Sequence, residues 1–179
     1  INDGALFTNK IGVQLTISAK PHTAEIQVSN DGGFGDAVWE PYSTQIEWQI
    51  TRYRGQEITR LVYVRFRDVA GNVSATYLDD IILDVKPPEG DVSLVQSAQG
   101  LELALLATDD VSGVDSMRLS ASPNFEQTSW EPYTPHHAWD FDAAATVYVQ
   151  FSDNAGNVSA TYLASAQQGY RIALPLVYR

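Results

Sequence analysis

The sequence predicts an all-β protein of two tandem antiparallel β-sandwiches, on three observations. One sentence is written twice: "VYVRFRDVAGNVSATYL" at residues 62–78 and "VYVQFSDNAGNVSATYL" at residues 147–163, identical at fourteen of seventeen positions and 85 residues apart. Catalytic motifs are seldom duplicated whole, whereas structural units often are. Within each copy the apolar residues recur every second position: Val13, Leu15 and Ile17 alternate with Gln14, Thr16 and Ser18, and Val62, Val64 and Phe66 alternate with Tyr63, Arg65 and Arg67. That period puts one set on one face of a strand. Finally, "NDGG", "RG", "AGN", "SG" and "SPN" punctuate the apolar runs at short intervals, as the turns of a sandwich do. No sustained helical spacing is present.

The repeat extends upstream. "WEPYSTQIEW" (39–48) answers "WEPYTPHHAW" (130–139) at an offset of 91, and these two stretches hold all four tryptophans. "VQLTISA" (13–19) matches "LELALLA" (101–107) in pattern, and "IQVS" (26–29) matches "MRLS" (117–120). The second copy lacks six residues corresponding to the stretch around "RYRGQE". "LDVKPPEG" (83–90) separates the copies, and its two prolines stiffen the link. The expected domains are residues 1–86 and 87–169, arranged end to end, followed by an apolar tail strand at 170–179. Val64 and Val149 are expected to be buried and equivalent, as are Phe66 and Phe151, with Arg65 and Gln150 facing solvent or a partner. "DVAGN" and "DNAGN" read as tight hairpin loops in which Asp bonds the loop amides and Gly takes a positive φ.

Composition narrows the function. The 179 residues carry a net charge of −11, which argues against nucleic acid, where a basic footprint supplies most of the affinity. The absence of cysteine excludes a disulfide framework and a thiolate metal site. No apolar run approaches the roughly 20 residues of a membrane span. Charge is uneven: residues 1–86 hold 8 basic and 11 acidic groups, the remainder 3 and 11.

With "INDGALFTN", "VQLTISA", "SNDGG", "WEPY" and "VYVRFRDVAGNVSATYLDDIILD" on the page, the chain resembles the immunoglobulin-like or fibronectin-III-like repeats of large bacterial surface and secreted proteins. The resemblance covers nearly all of the first copy and residues 101–163 of the second. It implies immunoglobulin-like sandwiches serving as spacers, stalks or adhesive modules, outside the bacterial cell, with any signal peptide already removed. The second copy departs from the pattern at both ends, opening with "GDVSLVQSAQG" and closing with "ASAQQGYRIALPLVYR".

Catalytic residues are not expected. No G-x-S-x-G elbow or H-E-x-x-H is present, and the repeated acids Glu40 with Glu131 and Asp68 with Asp153 sit in separate domains, where they cannot flank one substrate. His136 and His137 read as exposed hairpin residues. "TDDVSGVD" gathers Asp109, Asp110 and Asp115, a candidate calcium loop because Ca²⁺ takes six to eight oxygens; a solvated acidic loop is the plainer reading, and no other cofactor is expected. The tryptophans read as core or rim packing, with a sugar platform as the other option.

The tail "RIALPLVYR" alternates Ile172, Leu174, Leu176 and Tyr178 with Ala173, Pro175 and Val177. It is the last strand of its own domain, an address or anchoring signal, or a strand donated to a neighbouring subunit. The expected function is a non-enzymatic extracellular structural protein, a surface stalk or a fibre subunit that associates head to tail or with neighbouring repeats. In the fibre, Ile172, Leu174, Leu176 and Tyr178 insert and Arg52 and Arg54 lie near the junction. The rival is an adhesin or carbohydrate-binding accessory module of a secreted protein, with a glycan as partner.

Overall fold

The computed structural model describes residues 1–51, 59–97, 100–140 and 145–166. Apart from one 3-10 turn at Asn2–Gly4, the regular structure among these residues is all strand. The described residues form two compact units, Ile1–Lys86 with Asn154–Gly156, and Pro87–Asp153 with residues 157–166.

In the first unit, β1 (Phe7–Thr8), β2 (Gly12–Thr16), β3 (Thr23–Ser29), β4 (Glu40–Pro41), β5 (Gln45–Gln49), β6 (Thr59–Asp68) and β7 (Tyr77–Leu83) make two sheets, ordered β1-β7-β6-β3-β4 and β2-β5. Val13, Leu15, Ile26, Val28, Val62, Ile81 and Leu83 meet in one core drawn from both sheets. In the second unit, β8 (Glu89–Ser97), β9 (Gly100–Thr108), β10 (Val114–Ser120), β11 (Glu131–Pro132), β12 (His136–Ala138), β13 (Thr146–Asp153) and β14 (Tyr162–Ser165) form sheets ordered β11-β10-β13-β14 and β12-β9-β8. Val92, Leu103, Leu105, Met117, Val147, Val149 and Phe151 fill its core. The all-β sandwich class predicted from the two-residue period is what the chain adopts. Each such side chain removed from water contributes about 1.5–3 kcal/mol.

The two units begin differently. In the second, β8 pairs with β9 along its whole length, from Glu89 opposite Thr108 to Ser97 opposite Gly100. In the first, the chain ahead of β2 crosses to the other sheet, where β1 runs parallel to β7 with Phe7 opposite Ile82 and Thr8 opposite Leu83. This is a parallel pair in a fold expected to be antiparallel throughout. It leaves β5 as the only strand hydrogen-bonded to β2 among the described residues. Asn2 and Asp3 of the 3-10 turn partly dress the open edge: the Gln14 N–H donates to Asn2 Oδ1 (2.8 Å) and the Thr16 hydroxyl to Asp3 Oδ1 (3.1 Å).

Burial follows this difference and corrects one expectation. Val149 and Phe151 are fully buried (0% exposed), but their counterparts Val64 and Phe66 are only partly buried. Alternation had placed all four on the inner face, and they are there. It carries no information on whether a strand closes over that face.

Candidate functional site

The duplicated block proves to be a self-contained turn. In the first unit Asp68 Oδ1 accepts the N–H groups of Ala70 and Asn72, each at 2.9 Å, and Oδ2 accepts the Asn72 side-chain amide at 2.8 Å. These bonds, the Asn72 side chain foremost, hold the Asp68 carboxyl below its ordinary value of 3.8. Asp153 repeats the arrangement with Asn157, whose backbone and side-chain N–H groups both donate at 2.8 Å. Gly71 (φ +88°) and Gly156 (φ +89°) occupy the left-handed region that a side chain disfavours. The serine of each "NVS" also points inward: Ser74 and Ser159 accept the N–H of Phe66 and Phe151 at 3.0 Å. Aspartate, asparagine and serine are thus engaged in building the loop.

"WEPY" splits by residue. Glu-Pro forms the short edge strands β4 and β11. Tyr42 donates its hydroxyl to Ile17 O (3.1 Å) and accepts from Ala19 N–H (3.2 Å), and Tyr133 does the same with Leu105 O (3.0 Å) and Ala107 N–H (3.2 Å). Their rings meet Phe66 and Phe151 edge-on at 6.2 and 5.8 Å. The second tryptophans, Trp48 and Trp139, pack against the two cores, and the Trp48 indole N–H donates to Asn30 Oδ1 at 2.8 Å.

The first tryptophans lie elsewhere. Trp39 sits on the outer face of β6 with Arg67 at 4.5 Å and Arg65 at 5.5 Å from its ring centre, and Arg65 also covers Phe34 at 4.4 Å. Glu25 anchors the far end, accepting from Arg67 Nε at 2.6 Å. In the second unit Arg118 stands between Phe125 (4.5 Å) and Trp130 (4.7 Å). Such contacts contribute from about 0.5–1 kcal/mol where exposed to about 2 where desolvated. Phe34 (φ 55°) and Phe125 (φ 53°) are held in the left-handed region, a strained state for a bulky residue, and both rings are buried. Trp130 keeps 38% of its surface open, so this face presents an aromatic ring to solvent in the second unit. Sequence reasoning placed Arg65 outward without seeing what covers it. The usable signal was the aromatic pair Phe34 and Phe125, aligned at the same offset of 91 as the tryptophans.

The remaining candidates are scattered. Asp109 Oδ1 accepts the N–H groups of Val111 (3.1 Å), Ser112 and Gly113 (both 2.9 Å) and so shapes its loop. Its carboxylate comes within 4.8 Å of that of Asp153. Asp110 and Asp115 are exposed and join no metal-competent group among the described residues, Asp115 standing on β10 with its carbonyl bonded to Tyr133 N–H. His136 is exposed on β12, while His137 Nε2 lies 3.0 Å from Glu131 Oε1. Arg52, Arg54, Ile172, Leu174, Leu176 and Tyr178 lie outside the described residues.

The fold has a counterpart among solved structures. Fibronectin(III)-like modules of Clostridium thermocellum CbhA superpose with a TM-score of 0.51 at 10% identity, covering 89% of this chain and 87% of that one. The chain therefore shares a fibronectin-III-like fold. No protein-family model matches the sequence, and no curated protein matches it significantly. No helix among the described residues is long and apolar enough to cross a membrane.

Proposed function

We propose that the chain is a non-catalytic extracellular structural module, acting as a surface stalk or as a fibre subunit that assembles head to tail through its C-terminal strand. The observation that carries this reading is where the repeated residues go. Asp68 and Asp153, Asn72 and Asn157, Tyr42 and Tyr133, and the arginines stacked on Trp39 and Trp130 all hold their own sandwich together. The fibronectin-III-like fold and the resemblance to bacterial surface repeats support the same class. In the fibre, Ile172, Leu174, Leu176 and Tyr178 insert into the next subunit, with Arg52 and Arg54 near the junction. Deleting residues 170–179 is expected to leave folded monomers that cannot assemble. Sedimentation and electron microscopy of the intact protein test this: filaments support it, and a monomer at high concentration removes the fibre and leaves the stalk.

One observation favours the rival, a carbohydrate-binding or adhesive module. Trp130 is partly open on the outer face beside Arg118, as a sugar-stacking ring would be. A glycan array decides between them: binding that is lost in Trp130→Ala supports the rival, and a silent array supports the structural module.

A further inference from the structure

We infer that the face of the second unit around Arg118 and Trp130 is a binding site for a sugar that carries a carboxylate, with the Arg118 guanidinium holding the carboxylate and the open part of the Trp130 ring carrying the sugar. This rests on the carbohydrate-binding reading above and names the chemistry of the sugar.

Arg118 is the only lysine or arginine between residues 87 and 170, a stretch that holds eleven acids. Yet no described carboxylate forms an ion pair with it. Its partner across the strands is the neutral Gln150, whose Oε1 accepts from Arg118 Nε at 2.9 Å and from Nη2 at 2.5 Å. The first unit shows the other solution on the equivalent face: Arg67 lies on Trp39 and is neutralised by Glu25, with Nε to Oε2 at 2.6 Å. An arginine that only braced the sheet could be paired in that way. Arg118 keeps its charge.

The guanidinium is also fixed in place. Phe125 and Trp130 lie against it at 4.5 and 4.7 Å. Phe125 is set at φ 53° by its loop, where its N–H donates to Ser122 O at 3.2 Å and the Thr128 hydroxyl donates to Phe125 O at 2.8 Å. Gln150 is oriented in turn: its Nε2 donates to Thr161 Oγ1 at 3.0 Å, which leaves its oxygen for Arg118. A guanidinium has several N–H donors, of which Gln150 takes one on Nε and one on Nη2. Those on Nη1 and the second on Nη2 have no acceptor among the described residues, and none of these nitrogens is sealed from solvent. One N–H from each Nη makes the end-on fork that matches the two oxygens of a carboxylate. A planar donor already held by two rings and along one edge loses little freedom when the ligand arrives.

Trp130 supplies the other half. It is 38% exposed beside the fork, and the negative face of an indole attracts the C–H face of a sugar ring. A pyranose carries its carboxylate at the ring edge. A ring resting on the indole therefore brings that group to Arg118, whose guanidinium carbon is 4.7 Å from the indole centre. The surrounding acids select among such sugars. A chain charged at every residue would be repelled by the acidic surface, whereas a carboxylate on a terminal or isolated sugar meets the local cation.

NMR titration of the full-length protein with methyl β-glucuronide, and with methyl β-glucoside as its uncharged analogue, tests this. The Arg118 Nε–H and Trp130 indole N–H signals should shift together with the glucuronide. The glucoside should bind about 10–100-fold more weakly, the usual contribution of hydrogen bonds to a charged group. Arg118→Lys keeps the charge and loses the fork, so it should bind the glucuronide at least about tenfold more weakly. Gln150→Glu gives Arg118 a carboxylate of its own and should abolish the response without lowering the melting temperature. An equal response to both sugars overturns the carboxylate assignment and leaves the carbohydrate reading standing, and no response to either removes both. An equal response to acetate overturns the sugar, since an acidic side chain would then serve as well. A response that survives Gln150→Glu overturns the role of Arg118.

Discussion

Arg65 and Gln27 face each other across β6 and β3, with Arg65 Nε donating to Gln27 Oε1 at 2.6 Å, and the second unit holds the same pair reversed. There Arg118 stands where Gln27 does, Gln150 stands where Arg65 does, and Arg118 Nε donates to Gln150 Oε1 at 2.9 Å. In both cases the guanidinium lies on the outer phenylalanine, Phe34 or Phe125. The position needs one arginine and one glutamine and is indifferent to which strand supplies which. Exchanging both, Arg65→Gln with Gln27→Arg, is expected to leave stability within about 0.5 kcal/mol of the native chain. Each single change should cost about 0.5–1.5 kcal/mol by removing a side-chain bond or opposing two arginines. A double-mutant cycle by urea denaturation measures the coupling; additive single effects would show that the two side chains do not act as a pair.

Phe151 and Phe66 occupy equivalent places and should respond unequally. Truncating the fully buried Phe151 to alanine should cost about 3–5 kcal/mol. Phe66→Ala should cost less, because part of that ring already faces a groove. Equal losses would mean that the first unit is closed in solution.

Gly90→Ala is expected to destabilise the second unit by about 1–3 kcal/mol, the usual penalty of overpacking. The new methyl would meet both the Phe151 ring and the Leu106 carbonyl at 2.6 Å, and backbone cannot yield as a flexible side chain does. Thermal melting of this single variant suffices as the check.

Asp68 gives an acid-side signature. Its folded carboxyl titrates below the ordinary value because Asn72 bonds favour the charged form. A lowered folded value means that the stabilisation is complete above the unfolded value of about 3.9 and fades as pH falls through the folded one. The native protein should therefore lose melting temperature below about pH 4 more steeply than Asp68→Asn, while the variant is the less stable of the two at neutral pH. Parallel melting curves from pH 7 to 2.5 would contradict this.

Much of this architecture was legible because its signals are local. The alternation of Val147, Val149 and Phe151 sets a strand face, and Asp68 with Gly71 and Asn72 closes a loop within five positions. What could not be read depends on neighbours distant in sequence. The Gln27 and Arg65 pairing exists only once two strands 38 residues apart are in register. The different fates of β1 and β8 are a choice between two sheets, and "INDGALFTN" differs from "GDVSLVQSAQG" without saying which edge each prefers. Trp39 and Trp130 were read as packing residues, yet the residue that packs on them is arginine, on the face assigned to solvent. Of the candidate site residues, Asp109 proved to be a loop-former.

The hairpin of β8 and β9 also bears on the order of folding. Its ends meet across a connection of two residues between Ser97 and Gly100, a closure that costs little chain entropy and is complete in microseconds. β2 has no such local partner and waits for β5, with Thr16 opposite Gln45 and Gly12 opposite Gln49. Of the two repeats, the one made earlier on the ribosome is therefore the one that must search longer for its second sheet, while the later one carries its own nucleus.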